Sequence, residues 1–207
     1  MFNVMNKNKD KKLNWYDVTL AQFKELQTIL EIEDELEKVV AMAELVLGDD
    51  VTDLPLQEFN EQLKRLEFLK TEIPTSVPPK HIELNGKKYD VTSLLGNITT
   101  AQYIDFTNYI KDNDTAKMLS VFVVPEGHKY NDGYDMQEVI KDMENIPIPV
   151  ANSIASFFKA QFAKFIEIFQ SSSIKKVRKD RTLSPEEKAQ IINLIKTSTE
   201  LVLLPLS

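Results

Sequence analysis

Apolar residues recur at helical spacing through the first third of the chain and switch to alternation near residue 81. Leu20, Phe23, Leu26, Ile29 and Leu30 fall three or four positions apart, which predicts an amphipathic helix. Thr19-Leu-Ala-Gln22 opens it as a capping box: the threonine hydroxyl takes the amide of Gln22, whose side chain reaches back. A second helix is predicted over about 34–47 and ends at Gly48, a natural left-handed cap. The third begins with Pro55 in its first turn and runs to about Lys70, with Phe59, Leu63, Leu66 and Leu69 on one face. Prolines 74, 78 and 79 then forbid a helix and mark a linker over 74–80. From His81 to Val91, alternating residues flank Asn85-Gly86, the pair best suited to a type I′ hairpin turn. A lone hairpin is marginal, so it is expected to pack on helices or to pair with another strand, which Phe2 to Met5 and Lys11 to Trp15 could supply.

The second half repeats the order of the first. Thr19 to Leu26 aligns with Thr99 to Phe106, keeping the cap, the Ala-Gln pair, an aromatic, an acid and an apolar residue. Val39 to Gly48 parallels Leu119 to Gly127, and Asp53-Leu-Pro-Leu56 matches Asn145-Ile-Pro-Ile148. Three landmarks in one order point to a duplicated three-helix unit whose second copy carries an insertion over 128–144. After Ser171-Ser-Ser173 comes a basic run. Ser184-Pro-Glu-Glu187 then starts a helix to about Ser198, and an apolar tail, Leu201 to Ser207, follows.

The predicted architecture is mainly α with a small β-hairpin: two duplicated helical lobes plus a C-terminal helix and extended tail. Its parts are an N-terminal helical lobe over 1–73, the Pro-rich linker, a hairpin with the second lobe over 81–170, and a basic linker, helix and tail over 171–207.

Composition narrows the chemistry. The chain has 207 residues, 43% of them apolar, enough for a core without covalent staples. Cysteine is absent and only His81 and His128 are present, which removes thiol chemistry and most transition-metal schemes. No apolar run approaches a membrane span or follows the amino-terminal lysines as a secretory signal would, so a cytoplasmic protein is expected. The net charge of -7 is unevenly spread: residues 25–67 hold 13 acids against Lys38, Lys64 and Arg65. Any attraction to a polyanion falls to Lys175, Lys176, Arg178, Lys179 and Arg181, and without interleaved aromatics that run reads first as a solvated segment.

No catalytic, cofactor or metal residues are expected. The paired carboxylates, such as Glu33, Glu37 and Glu44, lie at helical spacing on polar faces. Asn131-Asp-Gly-Tyr-Asp135 lacks the alternating acids and closing glutamate of a calcium loop, and His128, near Glu126 and Asp132, has no recognisable nucleophile. Two features point instead to protein binding. Phe157, Phe158, Phe162, Phe165, Ile166 and Phe169 form a stripe on a helix starting near Val150, suited either to a core or to a partner helix. Leu201, Val202, Leu203, Leu204 and Leu206 must fold back, join an edge strand or meet a partner.

Trp15-Tyr-Asp-Val-Thr-Leu-Ala-Gln-Phe23, Asp53-Leu-Pro-Leu56, Pro78-Pro-Lys-His-Ile-Glu-Leu-Asn-Gly-Lys-Lys-Tyr89, Ile98-Thr-Thr-Ala-Gln-Tyr103 and Pro147-Ile-Pro-Val-Ala-Asn-Ser-Ile-Ala-Ser-Phe-Phe158 are landmarks of one kind. Across about residues 13–170 the chain resembles small proteins of tailed bacteriophages, those of crAss-like and other Bacteroidales phages above all. That resemblance implies a tail assembly chaperone, which shields apolar helical segments of a tape-measure or other tail protein in the host cytoplasm. The alternative is a structural virion component (a connector, ring or packaged internal protein) docking through its C-terminal module, as a homo-oligomer or with other virion proteins. The shared motifs are scaffold motifs and transfer no catalytic residue.

Overall fold

The computed structural model describes residues 12–48, 50–92 and 98–200, apart from the side chains of 165, 166, 169 and 197–200. The described chain is mainly helical with one three-stranded antiparallel sheet. It divides into two compact units, Met1–Ser76 with Glu144–Ala151, and Val77–Met143 with Asn152–Ser207.

In the first unit, Asn14 and Asp17 cap a 3-10 turn, Trp15–Asp17, ahead of α1 (Leu20–Ile29). Both halves of the expected capping box form: the Gln22 amide donates to Thr19 Oγ1 at 3.2 Å, and the Thr19 amide to Gln22 Oε1 at 3.0 Å. Gln22 also donates through Nε2 to the Leu45 carbonyl at 3.0 Å, tying the start of α1 to the end of α2 (Glu35–Leu47). Asp34 caps α2, and Gly48 ends it at φ 72°, a left-handed conformation cheap only without a Cβ. Helix α3 (Leu56–Arg65) is shorter than its apolar spacing predicts, because the chain tightens into a 3-10 turn over Glu67–Lys70. Ala43, Val51 and Leu66 centre this unit's core, with Phe59, Leu63 and Phe68 packed around them. Trp15 lies edge-on to Phe23 and Phe68 and donates its indole N–H to the Thr71 carbonyl at 3.2 Å.

Residues 144–151 complete this unit, a correction to the division expected from sequence, which placed them with the second lobe. The Leu20 amide donates to the Ile146 carbonyl at 2.9 Å, Ala21 to Glu144 at 3.0 Å, and Ile148 back to Val18 at 2.9 Å. Lys24 pairs with Glu144 at 2.8 Å. Val18, Ile146 and Ile148 are buried, so the amphipathic start of α1 is held by a strand-like segment more than a hundred residues downstream.

In the second unit, β1 (His81–Leu84) and β2 (Lys87–Val91) pair in the register His81↔Asp90 to Leu84↔Lys87. Asn85 at φ 53° and Gly86 at φ 74° are both left-handed, as the type I′ turn demands. The third strand, β3 (Val123–Pro125), joins β2 through Tyr89↔Pro125 and Val91↔Val123. The sequence reading looked for it near the amino terminus. Phe2 to Met5 lies outside the described residues, and Trp15–Asp17 is a 3-10 turn.

Helix α4 (Thr100–Lys111) repeats the capping box of α1 at Thr99 and Gln102, and α5 (Thr115–Ser120) starts at Asp114 as α2 starts at Asp34. Gln102 repeats the bridge as well, donating to the Val121 carbonyl at 2.9 Å. The correspondence then loosens. Residues 121–127 pass into β3 instead of prolonging a helix, although Gly127, like Gly48, has positive φ. Gln102 is buried whereas Gln22 is half-buried, so truncating Gln102 strands a buried carbonyl. Gln102→Ala is expected to destabilise by about 2 kcal/mol, more than Gln22→Ala; urea unfolding of both variants checks the order.

Helices α6 (Met136–Met143), α7 (Ile148–Lys179) and α8 (Pro185–Glu200) complete the described residues. Helix α7 is a single element through Ser171-Ser-Ser173 and the basic run, which the sequence reading made a linker. Serine costs a helix only about half a kcal/mol against alanine, and neither glycine nor proline falls between Pro149 and Pro185. The next helix begins where expected, with the Glu187 amide donating to Ser184 Oγ at 3.2 Å and the Ser184 amide to Glu187 Oε2 at 2.8 Å.

Candidate functional site

The aromatic stripe divides along α7. Phe158 and Phe162 are core residues: Phe158 stacks on Phe122 with centroids 3.6 Å apart, and Phe162 meets Phe106 edge-on at 4.7 Å and stacks on Tyr103 at 5.2 Å. Their proposed role as partner-binding residues is corrected accordingly, since a partner would reach them only by opening the core. Phe157 is half-buried, edge-on to Phe158. The side chain of Phe165 and the tail residues Leu201, Val202, Leu203, Leu204 and Leu206 lie outside the described part.

Beyond Phe162 the helix changes character. None of the described side chains from Ala163 to Lys196 is buried. Ile168 is 69% exposed, and Ile174 and Val177 are half-buried. Lys175, Lys176, Arg178 and Lys179 are exposed on the last two turns, where cations suit the negative end of the helix dipole, and Arg181 follows. None of these five forms an ion pair with a described residue. A shallow open depression of about 530 Å³ runs along α7 past Glu167, Ile168, Ser171, Ser172, Lys175 and Lys176. The C-terminal half of α7 and α8 thus form an arm whose described side chains include apolar and cationic positions and no buried one.

A polar cluster that sequence reasoning missed joins the hairpin to α6. The Tyr89 hydroxyl donates to Asp142 Oδ2, Asn85 Nδ2 to Asp142 Oδ1 at 2.7 Å, and Lys87 Nζ to Asp142 Oδ2 at 3.0 Å and to Glu138 at 2.6 Å. Burial raises the carboxyl of Asp142, but hydrogen bonds from Tyr89, Asn85 and Lys87 outweigh it and hold the group below its ordinary value. Burial first, then the bond to Asp142, pushes the Tyr89 phenol up; Glu138, then Asp142, does the same for the Lys87 ammonium. Both carboxylate oxygens of Asp142 are engaged, which makes the cluster a clamp between sheet and helix.

His128 is exposed, with Nδ1 2.9 Å from the Asp132 carbonyl and its ring edge-on to Tyr134. In the same loop Tyr130 donates to Asp105 at 2.8 Å, and Asn131 and Gly133 have positive φ. These contacts fold the loop back on itself at His128 and tie it to α4 at Asp105. Among the described residues no three His, Cys, Asp or Glu side chains converge as a metal would require, and no helix is long and apolar enough to cross a membrane.

No known family model, curated protein or solved structure matches the chain. The arm is the feature with chemistry still unspent. Its apolar positions were legible as helical spacing, but its continuity with the core helix was hidden by the serines.

Proposed function

We propose that this chain is a non-enzymatic protein-binding protein of a tailed phage, acting as a tail assembly chaperone that shields apolar helical segments of a tape-measure or other tail protein. The observation that carries the reading is the arm: the C-terminal half of α7 and α8, in which no described side chain from Ala163 to Lys196 is buried. An amphipathic helix offered without a core gains most by laying its apolar face against another helix. Acids on the first unit keep such a complex soluble. The phage context rests on the resemblance carried by the landmarks between Trp15 and Phe158.

The second reading, a structural virion component docking through its C-terminal module, is favoured by the cations at the end of α7, which an apolar client does not require. Mass spectrometry of purified virions beside the infected-cell lysate separates the two. A chaperone is abundant in the host cytoplasm and missing from particles, whereas a structural component is retained at a fixed copy number. Absence from infected cells altogether would overturn both.

A further inference from the structure

We infer that the arm of one copy binds the acid-rich first unit of a second copy, so that the protein self-associates head to tail. The arm presents five cations in seven positions, 175–181, interrupted only by Val177 and Asp180. The turn into α2 presents five acids in seven positions, Glu31, Glu33, Asp34, Glu35 and Glu37, all exposed. Aliphatic side chains lie in or near each segment: Leu36 and the preceding Leu30 are exposed at one, while at the other Val177 is half-buried and Ile168, seven positions before Lys175, is exposed. The two segments are thus equal in length and opposite in sign, five acids facing five bases and Asp180, and each has aliphatic side chains in or near it. A chain of net charge -7 repels its own copies unless a cationic element is aimed at an acidic one, and 175–181 is the densest run of bases in the sequence.

Opposed charges steer such an encounter and fix its register, and the exposed leucines and isoleucine supply area to be dried. The contact joins two different patches, so it closes as a ring or continues as a chain instead of stopping at a two-fold dimer. Nucleic acid is a poorer occupant, because residues 174–181 carry no aromatic for base stacking and the same chain carries 32 acids.

The test is sedimentation velocity of the full chain across a concentration series, with two charge-swapped variants, K175E/K176E/K179E and E31K/E33K/E37K. These positions are exposed and avoid the Asp34 cap and the Glu35–Lys38 pair. The wild type is expected to associate at about 0.1 M salt and to weaken at least tenfold at about 1 M, where screening shortens from about 10 to about 3 Å. Each variant alone should sediment as a monomer, and an equimolar mixture should regain the wild-type size distribution, since both native and swapped charge pairs then exist. Misfolded variants could not regain it. A wild type that stays monomeric at low salt, as it would if the arm served its own chain or only a different partner, overturns the inference. So do association insensitive to salt and a mixture that stays monomeric.

Discussion

Phe158→Ala is expected to be the most damaging single substitution in the second unit, costing about 3–5 kcal/mol by leaving a cavity that neighbours cannot fill. Phe158 is fully buried and stacked on Phe122, which in turn meets Phe106 edge-on at 4.8 Å. Relaxation into the space is limited because Phe162 holds Phe106 from the other side. For a domain of ordinary stability the loss moves the urea midpoint by roughly 2 M. Phe157→Ala, one position away and half-buried, should cost about 1 kcal/mol. Equal losses at the two positions would refute the division of the stripe into a core face and a surface face.

Asp142→Ala is expected to follow, at about 2–4 kcal/mol. It removes a charged acceptor from three donors and strands the buried Tyr89 hydroxyl, while Lys87 remains able to reach water and Glu138. The effect has a built-in control: in a Tyr89→Phe background the same change should cost at least about 1 kcal/mol less, because no hydroxyl is left without a partner. It also has a pH signature. The folded carboxyl lies below its ordinary value of 3.8, so its contribution is complete above that value and is lost as pH falls through the folded value. The stability gap between wild type and Asp142→Ala should therefore be widest near neutral pH and narrow in acid. A gap independent of pH would remove the ionised carboxylate from the account.

Local chemistry made much of the fold readable. Both Thr/Gln capping boxes, the left-handed stop at Gly48, the Asn85-Gly86 turn and the Ser184 start each depend on residues within a few positions of one another. What stayed hidden depends on distant or ambiguous partners. Val121 to Val124 is a short apolar run that fits either a helix end or a strand, and only pairing with β2 decides it. The Asp142 clamp draws on residues 53 to 57 positions away, which no periodicity reveals. The stripe did not distinguish Phe158, buried against Phe122, from its neighbour Phe157, which is half-buried.

The bonds from Leu20 and Ala21 to Ile146 and Glu144 set an order of events during synthesis. When the ribosome has made residues 1–76, two amides at the start of α1 still lack their acceptors, and Val18 lacks the chain that donates to its carbonyl. The first unit to leave the tunnel thus cannot be finished at once: it waits for some seventy further residues, most of them belonging to the second unit. Closing so long a loop is slow but only modestly costly in entropy. A nascent chain stalled between the two units is expected to be protease-sensitive around α1, and a fragment ending at Ser76 to be less stable than the same unit supplied with residues 144–151.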